Sequence, residues 1–132
     1  MHYVLEPNLG AGALKFSKNR DEIRRLFLSV PITKTREPEN DFYEKEGLIL
    51  GYDESDELEY IEIIEPSTAE YRSINFFSLS LNDCLNQLYK CGLKEPYDDG
   101  GYNFPAVGIV LYCPQGDIES VSLYRKGYYD DL

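Results

Sequence analysis

One pattern of residues occurs twice in this chain, and that repetition limits the possible folds more than any other feature. Residues 47–63 read GLILGYDESDELEYIEI, and residues 108–123 read GIVLYCPQGDIESVSL. Each stretch has an apolar run, a polar turn and a return on which apolar and polar residues alternate. Aligning Gly47 with Gly108 sets one repeat spacing, which becomes shorter by a single position after the polar turn. The spacing predicts a chain built from two related units.

The same spacing extends upstream of the two glycines, where it aligns Ile23 with Cys84. Two copies are too few for a solenoid, and the length is typical of a single domain. We therefore predict one domain over residues 1–132, with pseudo-repeats at about 10–65 and 72–125.

Each pseudo-repeat is predicted to begin with a short strand, near residue 14 and near residue 75, and to continue into one helix. Asn19 and Ser80 are placed as helix N-caps, because each precedes an acidic residue by three positions. Apolar residues at helical spacing extend the first helix to about Leu28, before Pro31, and the second to about Lys90. The buried stripe of the first helix is expected to comprise Ile23, Leu26, Phe27 and Val30.

A three-strand meander is predicted after each helix, which gives an α+β fold in which helices cover one face of an antiparallel β-sheet. The strands are expected near residues 41–45, 48–52 and 58–64, and near residues 102–104, 108–113 and 118–124. Alternation directs Ile61, Ile63, Val121 and Leu123 toward the core. The opposite, uncovered face is expected to carry Tyr60, Glu62, Ser120, Ser122 and Tyr124.

The net charge of −11 is the main compositional constraint on function. It disfavours nucleic acid and anionic membranes as partners, and it favours rapid capture of a strongly basic partner. Residues 15–36 hold seven Lys or Arg against two acids, whereas residues 37–70 hold thirteen acids against Lys45. Either these segments lie on different faces and make the molecule dipolar, or Lys18, Arg24 and Arg25 simply solvate one helix face.

Reactive side chains are scarce, so we expect no catalytic residue, cofactor or metal ion. His2 is the only histidine, and its place beside the first residue predicts a mobile side chain. The three cysteines form no CxxC pair, and we expect reduced, buried thiols. The Gly-Ala-Gly sequence at residues 10–12 precedes a strand, so we interpret it as a flexible entry loop rather than a phosphate cradle.

The acidic turns lack the spacing of an EF-hand, and we interpret them as solvated loops that could bind Ca²⁺ only weakly. No secretory signal or long apolar run is present, which favours the cytoplasm. The scarcity of reactive side chains, and the position of the paired acids at the tips of turns, favour a binding protein over an enzyme.

Tyrosine is unusually frequent, with 12 residues and no tryptophan. Tyr43 and Tyr52 align with Phe104 and Cys113 and are expected in the core. The others reflect either β-propensity or a binding surface, because tyrosine offers a rigid contact area with one polar tip. The predicted partner-binding residues are Tyr60, Glu62 and Tyr124 on the open face, Asp53, Glu54, Asp56 and Glu57 at a hairpin tip, and Asp98, Asp99 and Tyr102 as a second patch.

Two resemblances bear on function. The tandem helix-then-meander plan resembles the β-lactamase inhibitory proteins, and each unit resembles the outer-membrane assembly lipoproteins; both families bind proteins. The sequences GAGALKFSKNRDEIRRLF (10–27) and YEKEGLILGYDESDELEYIEI (43–63) resemble small acidic bacterial immunity proteins of contact-dependent growth inhibition and other polymorphic toxin systems. Those proteins commonly have Phe-Gly-Met-Ser/Thr at the helix entry, where this chain has Phe-Ser-Lys-Asn (16–19).

The second resemblance implies a cytoplasmic immunity protein that blocks the active site of a cognate toxin, for example a cationic nuclease. A protein-interaction or assembly module without an inhibited enzyme is the alternative. The partner is expected to be a protein, and the chain either a monomer or a weak dimer through an uncovered sheet edge.

Overall fold

The computed structural model describes residues 1–34, 40–98 and 101–128. Within them lie two helices, α1 (Arg20–Arg24) and α2 (Leu81–Lys90). The strands are β1 (His2–Glu6), β2 (Gly10–Ala11), β3 (Leu14–Lys15), β4 (Ile32–Lys34), β5 (Asn40–Tyr43), β6 (Leu48–Tyr52), β7 (Leu58–Ile63), β8 (Thr68–Tyr71), β9 (Ile74–Asn75), β10 (Tyr97–Asp98), β11 (Tyr102–Phe104), β12 (Ile109–Tyr112) and β13 (Ser120–Tyr124). The predicted α+β class is confirmed.

The larger sheet has eight antiparallel strands in the order β10-β11-β12-β13-β7-β6-β5-β4. Its centre is the pairing of β7 with β13, where Glu62 lies opposite Ser122. The six predicted meander strands are present as β5 to β7 and β11 to β13. Two strands that were not predicted, β4 and β10, lie at the two ends of the sheet. Each of these strands has only two or three residues, too few for a recognisable alternation.

The smaller sheet has five strands in the order β3-β2-β1-β8-β9, with β1 parallel to β8. It corrects two expectations. The Gly-Ala-Gly sequence is not a flexible loop, because Gly10 and Ala11 form β2 and pair with both β1 and β3. His2 is not mobile, because its Nδ1 lies 2.5 Å from the Thr68 hydroxyl and its Nε2 lies 2.6 Å from Glu70 Oε1.

One core joins both sheets and both helices. The predicted alternation is confirmed, since Ile61 and Ile63 are fully buried on the face opposite Tyr60 and Glu62. Helix α1 covers this core face through the buried Ile23, and α2 contributes the buried Cys84 and Leu88. The other face of β7 and β13 carries neither helix.

Helix α1 begins as predicted but ends early. Asn19 accepts a hydrogen bond from the Glu22 backbone, and the Glu22 carboxylate accepts one from Asn19, which completes a capping box. The helix ends at Arg24, so Leu26 and Val30 are exposed and do not extend the buried stripe. Pro31 therefore lies several residues beyond the true helix end.

A buried carboxylate ties α1 to the large sheet. Asp41 has no exposed area, and its oxygens accept hydrogen bonds from Arg20 at 3.0 Å and from Arg24 at 2.8 Å. The Arg20 guanidinium also lies 4.3 Å from the centre of the Tyr52 ring. Arg24 was expected either to solvate one helix face or to lie on a different face from the acidic segment. It does neither, because the basic and acidic segments meet at Asp41.

Neither α1 nor α2, the helices of the described residues, is long and apolar enough to cross a bilayer.

Candidate interaction surface

The side of β7 and β13 that faces away from the core forms the candidate surface, and we call it the open face. Tyr60 and Glu62 of β7 are partly exposed there. Every residue of β13 is buried, so the prediction of an uncovered face is wrong for Ser120, Ser122 and Tyr124. Tyr60 lies opposite Tyr124, and Glu62 lies opposite Ser122, with all four side chains on the side away from the core. Their order follows from strict alternation on two strands that are paired antiparallel. The sequence therefore predicts which open-face side chains share this surface.

Hydrogen bonds fix the polar tips of the open-face tyrosines. The Tyr60 hydroxyl donates to Glu62 Oε1 at 3.0 Å and lies 2.8 Å from the Ser122 hydroxyl. The Tyr124 hydroxyl donates to Asn103 Oδ1 at 2.7 Å. These rings are held in one orientation before any partner arrives, which lowers the entropy lost on binding.

The chain beyond β13 turns back over part of the open face. The Tyr128 ring lies 5.4 Å from that of Tyr60 and 5.9 Å from that of Tyr124. Tyr124 is consequently only 6% exposed, although it was predicted to be available to a partner, and Ser122 beside it is buried as well. The alternation gives the correct side for Tyr124 but says nothing of the segment that covers it.

The acids of the hairpin tip, residues 53–57, are largely paired within the molecule. Arg125 contacts Asp53 at 2.8 Å and Glu57 at 3.4 Å, and Arg20 contacts Asp56 at 3.2 Å. Burial raises the pKa of the Asp53 carboxyl, but hydrogen bonds from Arg125 and from two backbone N–H groups bring it below its ordinary value. Glu54 is exposed.

The second predicted patch does not share the open face. Tyr102 pairs with Leu111, is half-buried and packs against the core. Asp98 belongs to β10 and lies opposite Tyr102 in the ladder. Asp99 lies outside the described residues.

An acidic groove adjoins Glu62 on the open face, and most of it was not predicted. It encloses about 530 Å³ between the end of β7 and the turn from β12 to β13. We define the acidic groove by its lining residues, which are Glu62, Ile64, Glu65, Tyr112, Asp117, Ile118, Glu119 and Ser120.

The acids of the groove were missed because they come from two turns that are far apart in the sequence. One signal was available in the sequence. In the sequence, Tyr112 alternates with the apolar Leu111, just as Ser120 alternates with Val121. Tyr112 pairs with Ser120, so its side chain lies on the open side of β12.

The four carboxylates of the groove belong to Glu62, Glu65, Asp117 and Glu119. Within residues 1–34, 40–98 and 101–128, none of the four takes part in an ion pair. No Lys, Arg or His is among the described residues that line the groove. The groove therefore keeps its negative charge, unlike the hairpin tip.

Metal and thiol chemistry have little support in the part of the chain that the structure describes. There, no three His, Cys, Asp or Glu side chains are grouped closely enough to hold a metal ion. Cys84, Cys91 and Cys113 are free thiols, and burial raises the pKa of the Cys84 thiol to about 11.

A second exposed feature lies beyond α1. Leu26, Leu28, Val30 and Ile32, which we call the aliphatic segment, are all exposed, and Val30 is 90% exposed. Contiguous exposed aliphatic residues are typical of contact surfaces. The helical pattern had wrongly assigned two of them to the core.

Comparison with protein-family models, with curated proteins and with solved structures gives no match for this chain.

Proposed function

We propose that this chain is an immunity protein that binds a cognate cationic toxin domain one-to-one and neutralises it by covering its active site. The observation that carries the proposal is the acidic groove on the open face, whose four carboxylates have no ion-pair partner among the described residues. Unpaired acids at the edge of a preorganised aromatic surface favour a basic protein partner.

The whole-molecule charge supports the same conclusion. A net charge of −11 attracts a cationic partner over long distances and accelerates its capture. A nuclease fits best, because its substrate groove must carry positive charge to bind phosphates. The inhibitor acts in the cytoplasm by excluding substrate, and it needs no catalysis, cofactor or metal of its own.

We also propose that the chain contains two pseudo-repeats, at about 10–65 and 72–125. Tyr43 pairs with Leu48, and their counterparts at the repeat spacing, Phe104 and Ile109, pair in the equivalent hairpin, which supports this duplication. Glu62 and Ser122, which the repeat spacing also aligns, lie opposite each other at the centre of the large sheet. The open face would then lie near a local two-fold axis.

The test is to produce the chain together with the toxin-like domain encoded by the adjacent upstream reading frame. We expect protection of growth and a one-to-one complex, and we expect association to slow by about tenfold or more between low and high salt. Light scattering and stopped-flow mixing measure these quantities. The absence of a complex at micromolar concentration, or an association rate that is independent of salt, would overturn the proposal.

The alternative is an interaction or assembly module that inhibits no enzyme. The aliphatic segment favours it, because four exposed aliphatic side chains would suit an apolar partner better than a cationic one. A stable complex that survives high salt, and that is lost on Val30→Ser, would support this alternative.

A further inference from the structure

The acidic groove has the dimensions of a side-chain pocket as well as a negative charge. Its volume is about 530 Å³, and it is open to solvent at the ends of the strands. Ile64 and Ile118 provide apolar walls, and Tyr112, with 46% of its surface exposed, presents a ring. A long cation with an apolar stem matches these surfaces, since its stem can contact the walls while its head reaches the carboxylates.

A hydroxyl in the same groove is available to a ligand. Ser120 lines the groove and is 3% exposed, and its Oγ makes no hydrogen bond to another described residue. The Oγ atom keeps some contact with solvent, unlike the fully enclosed hydroxyls of Tyr43 and Tyr52. Ser120 therefore offers a hydrogen-bonding group to a ligand independently of the acids.

The two acidic clusters of the molecule differ in whether their carboxylates are already paired with basic residues. At the hairpin tip, Arg125 and Arg20 already occupy the carboxylates of Asp53, Glu57 and Asp56. In the groove, the four carboxylates line one cavity and none is paired with a described basic residue. An incoming cation therefore meets unpaired carboxylates in the groove and paired ones at the hairpin tip.

We infer that the acidic groove is a binding pocket for an arginine side chain of the protein partner. A guanidinium is planar, stacks on an aromatic ring such as that of Tyr112 and offers five N–H donors to several acceptors at once. A lysine ammonium carries the same charge but lacks the planar surface for Tyr112. This inference rests on the proposed function, because it identifies what the cationic partner inserts.

The test uses two probe peptides, acetyl-Gly-Arg-Gly-amide and acetyl-Gly-Lys-Gly-amide, titrated into the ¹⁵N-labelled full chain. We expect the arginine peptide to shift the amide signals of Tyr112 and of residues 117–120, with at least about threefold tighter binding than the lysine peptide. Equal affinities, or shifts confined to the hairpin tip, would overturn the inference.

A matched pair of variants separates local binding from net charge. Glu65→Gln with Glu119→Gln removes two groove charges, whereas Glu44→Gln with Glu95→Gln removes two exposed charges outside the groove. We expect the groove variant to weaken the arginine peptide by about fivefold or more, which exceeds a long-range charge effect. We expect less than about twofold weakening for the control, and equal weakening in both would contradict the inference.

The arginine pocket and the proposed function can fail separately. If the arginine peptide binds the groove while the chain forms no complex with the neighbouring toxin domain, the pocket stands and the toxin assignment falls. If the toxin complex forms with wild-type affinity for the Glu65→Gln, Glu119→Gln variant, the assignment stands and the pocket is not the contact. Titration with CaCl₂ that causes larger shifts than the arginine peptide would replace arginine by a divalent cation.

Discussion

Asp41 is a charged residue at the contact between α1 and the large sheet. It is fully buried and bound by Arg20 and Arg24, and the repeat spacing aligns these arginines with Leu81 and Leu85. The contact of α1 with the large sheet is thus a buried charge network, whereas Leu81 and Leu85 of α2 are partly buried leucines packed against the core. Since buried ion pairs contribute little net stability, this network fixes where α1 packs more than how tightly it packs.

Asp41→Ala should destabilise the protein by about 3–5 kcal/mol, because it leaves two arginines without their shared carboxylate. Asp56→Asn is the matched control, since its side chain is mostly exposed and should cost about 1 kcal/mol or less. Urea unfolding followed by circular dichroism gives both values. Equal losses in the two variants would show that the buried network contributes nothing beyond a surface pair.

Helix α1 shows how an element of five residues is held in place. So short a helix has little stability of its own, and its capping box satisfies only its first turn. The buried Ile23 and the stacking of Phe27 on Tyr43, with ring centres 4.1 Å apart, attach it to the sheet. Packing rather than helix propensity therefore determines its length.

Ile23→Ala should lower the free energy of unfolding by about 2–5 kcal/mol, because the side chain is fully buried. Leu28→Ala removes a similar aliphatic side chain just beyond α1, yet it should change stability by only about 0.5 kcal/mol because Leu28 is fully exposed. Chemical denaturation measures both. A loss for Leu28→Ala as large as that for Ile23→Ala would indicate that Leu28 packs against the rest of the protein.

The elements that the sequence predicts are those whose signals are local. Asn19 and Ser80 mark the helix starts, and alternation in β7 and β13 assigns their faces correctly. Of the smaller sheet, β3 and β9 lie where the sequence predicts short strands, near residues 14 and 75. The sheet itself is missed because β1 pairs with β8, a strand far along the chain, and neither of these two strands was predicted. The groove and the burial of Tyr124 likewise depend on segments brought together only by the fold.

At the scale of the whole molecule, two buried tyrosines couple folding to pH. The hydroxyls of Tyr43 and Tyr52 are buried and have no hydrogen-bond partner among the described residues. Burial, followed by the charge of Asp41, raises the pKa of Tyr43 to about 12 and raises that of Tyr52 further. Folding therefore favours the neutral phenols.

Stability should be unaffected by these tyrosines below about pH 9, where they are neutral in both states, and should fall as pH rises through about 10, the pKa of the unfolded phenols. Between pH 9 and pH 11 we expect a loss of about 2 kcal/mol, because the unfolded phenols ionise first. Urea unfolding at the two pH values measures it. Tyr43→Phe should reduce the loss, whereas Tyr112→Phe, at an exposed position, should leave it unchanged.

The two halves of the chain are joined by more than their connecting peptide. Four residue pairs link β7 to β13 in one sheet, and β1 pairs with β8 in the other. The link between the halves runs through the exposed Glu65 and Pro66. Each half thus provides strands with which the other half completes both sheets. A chain cut between Glu65 and Pro66 would therefore be a pair of complementing fragments. Strand pairing between the fragments would hold them together in place of the lost peptide bond.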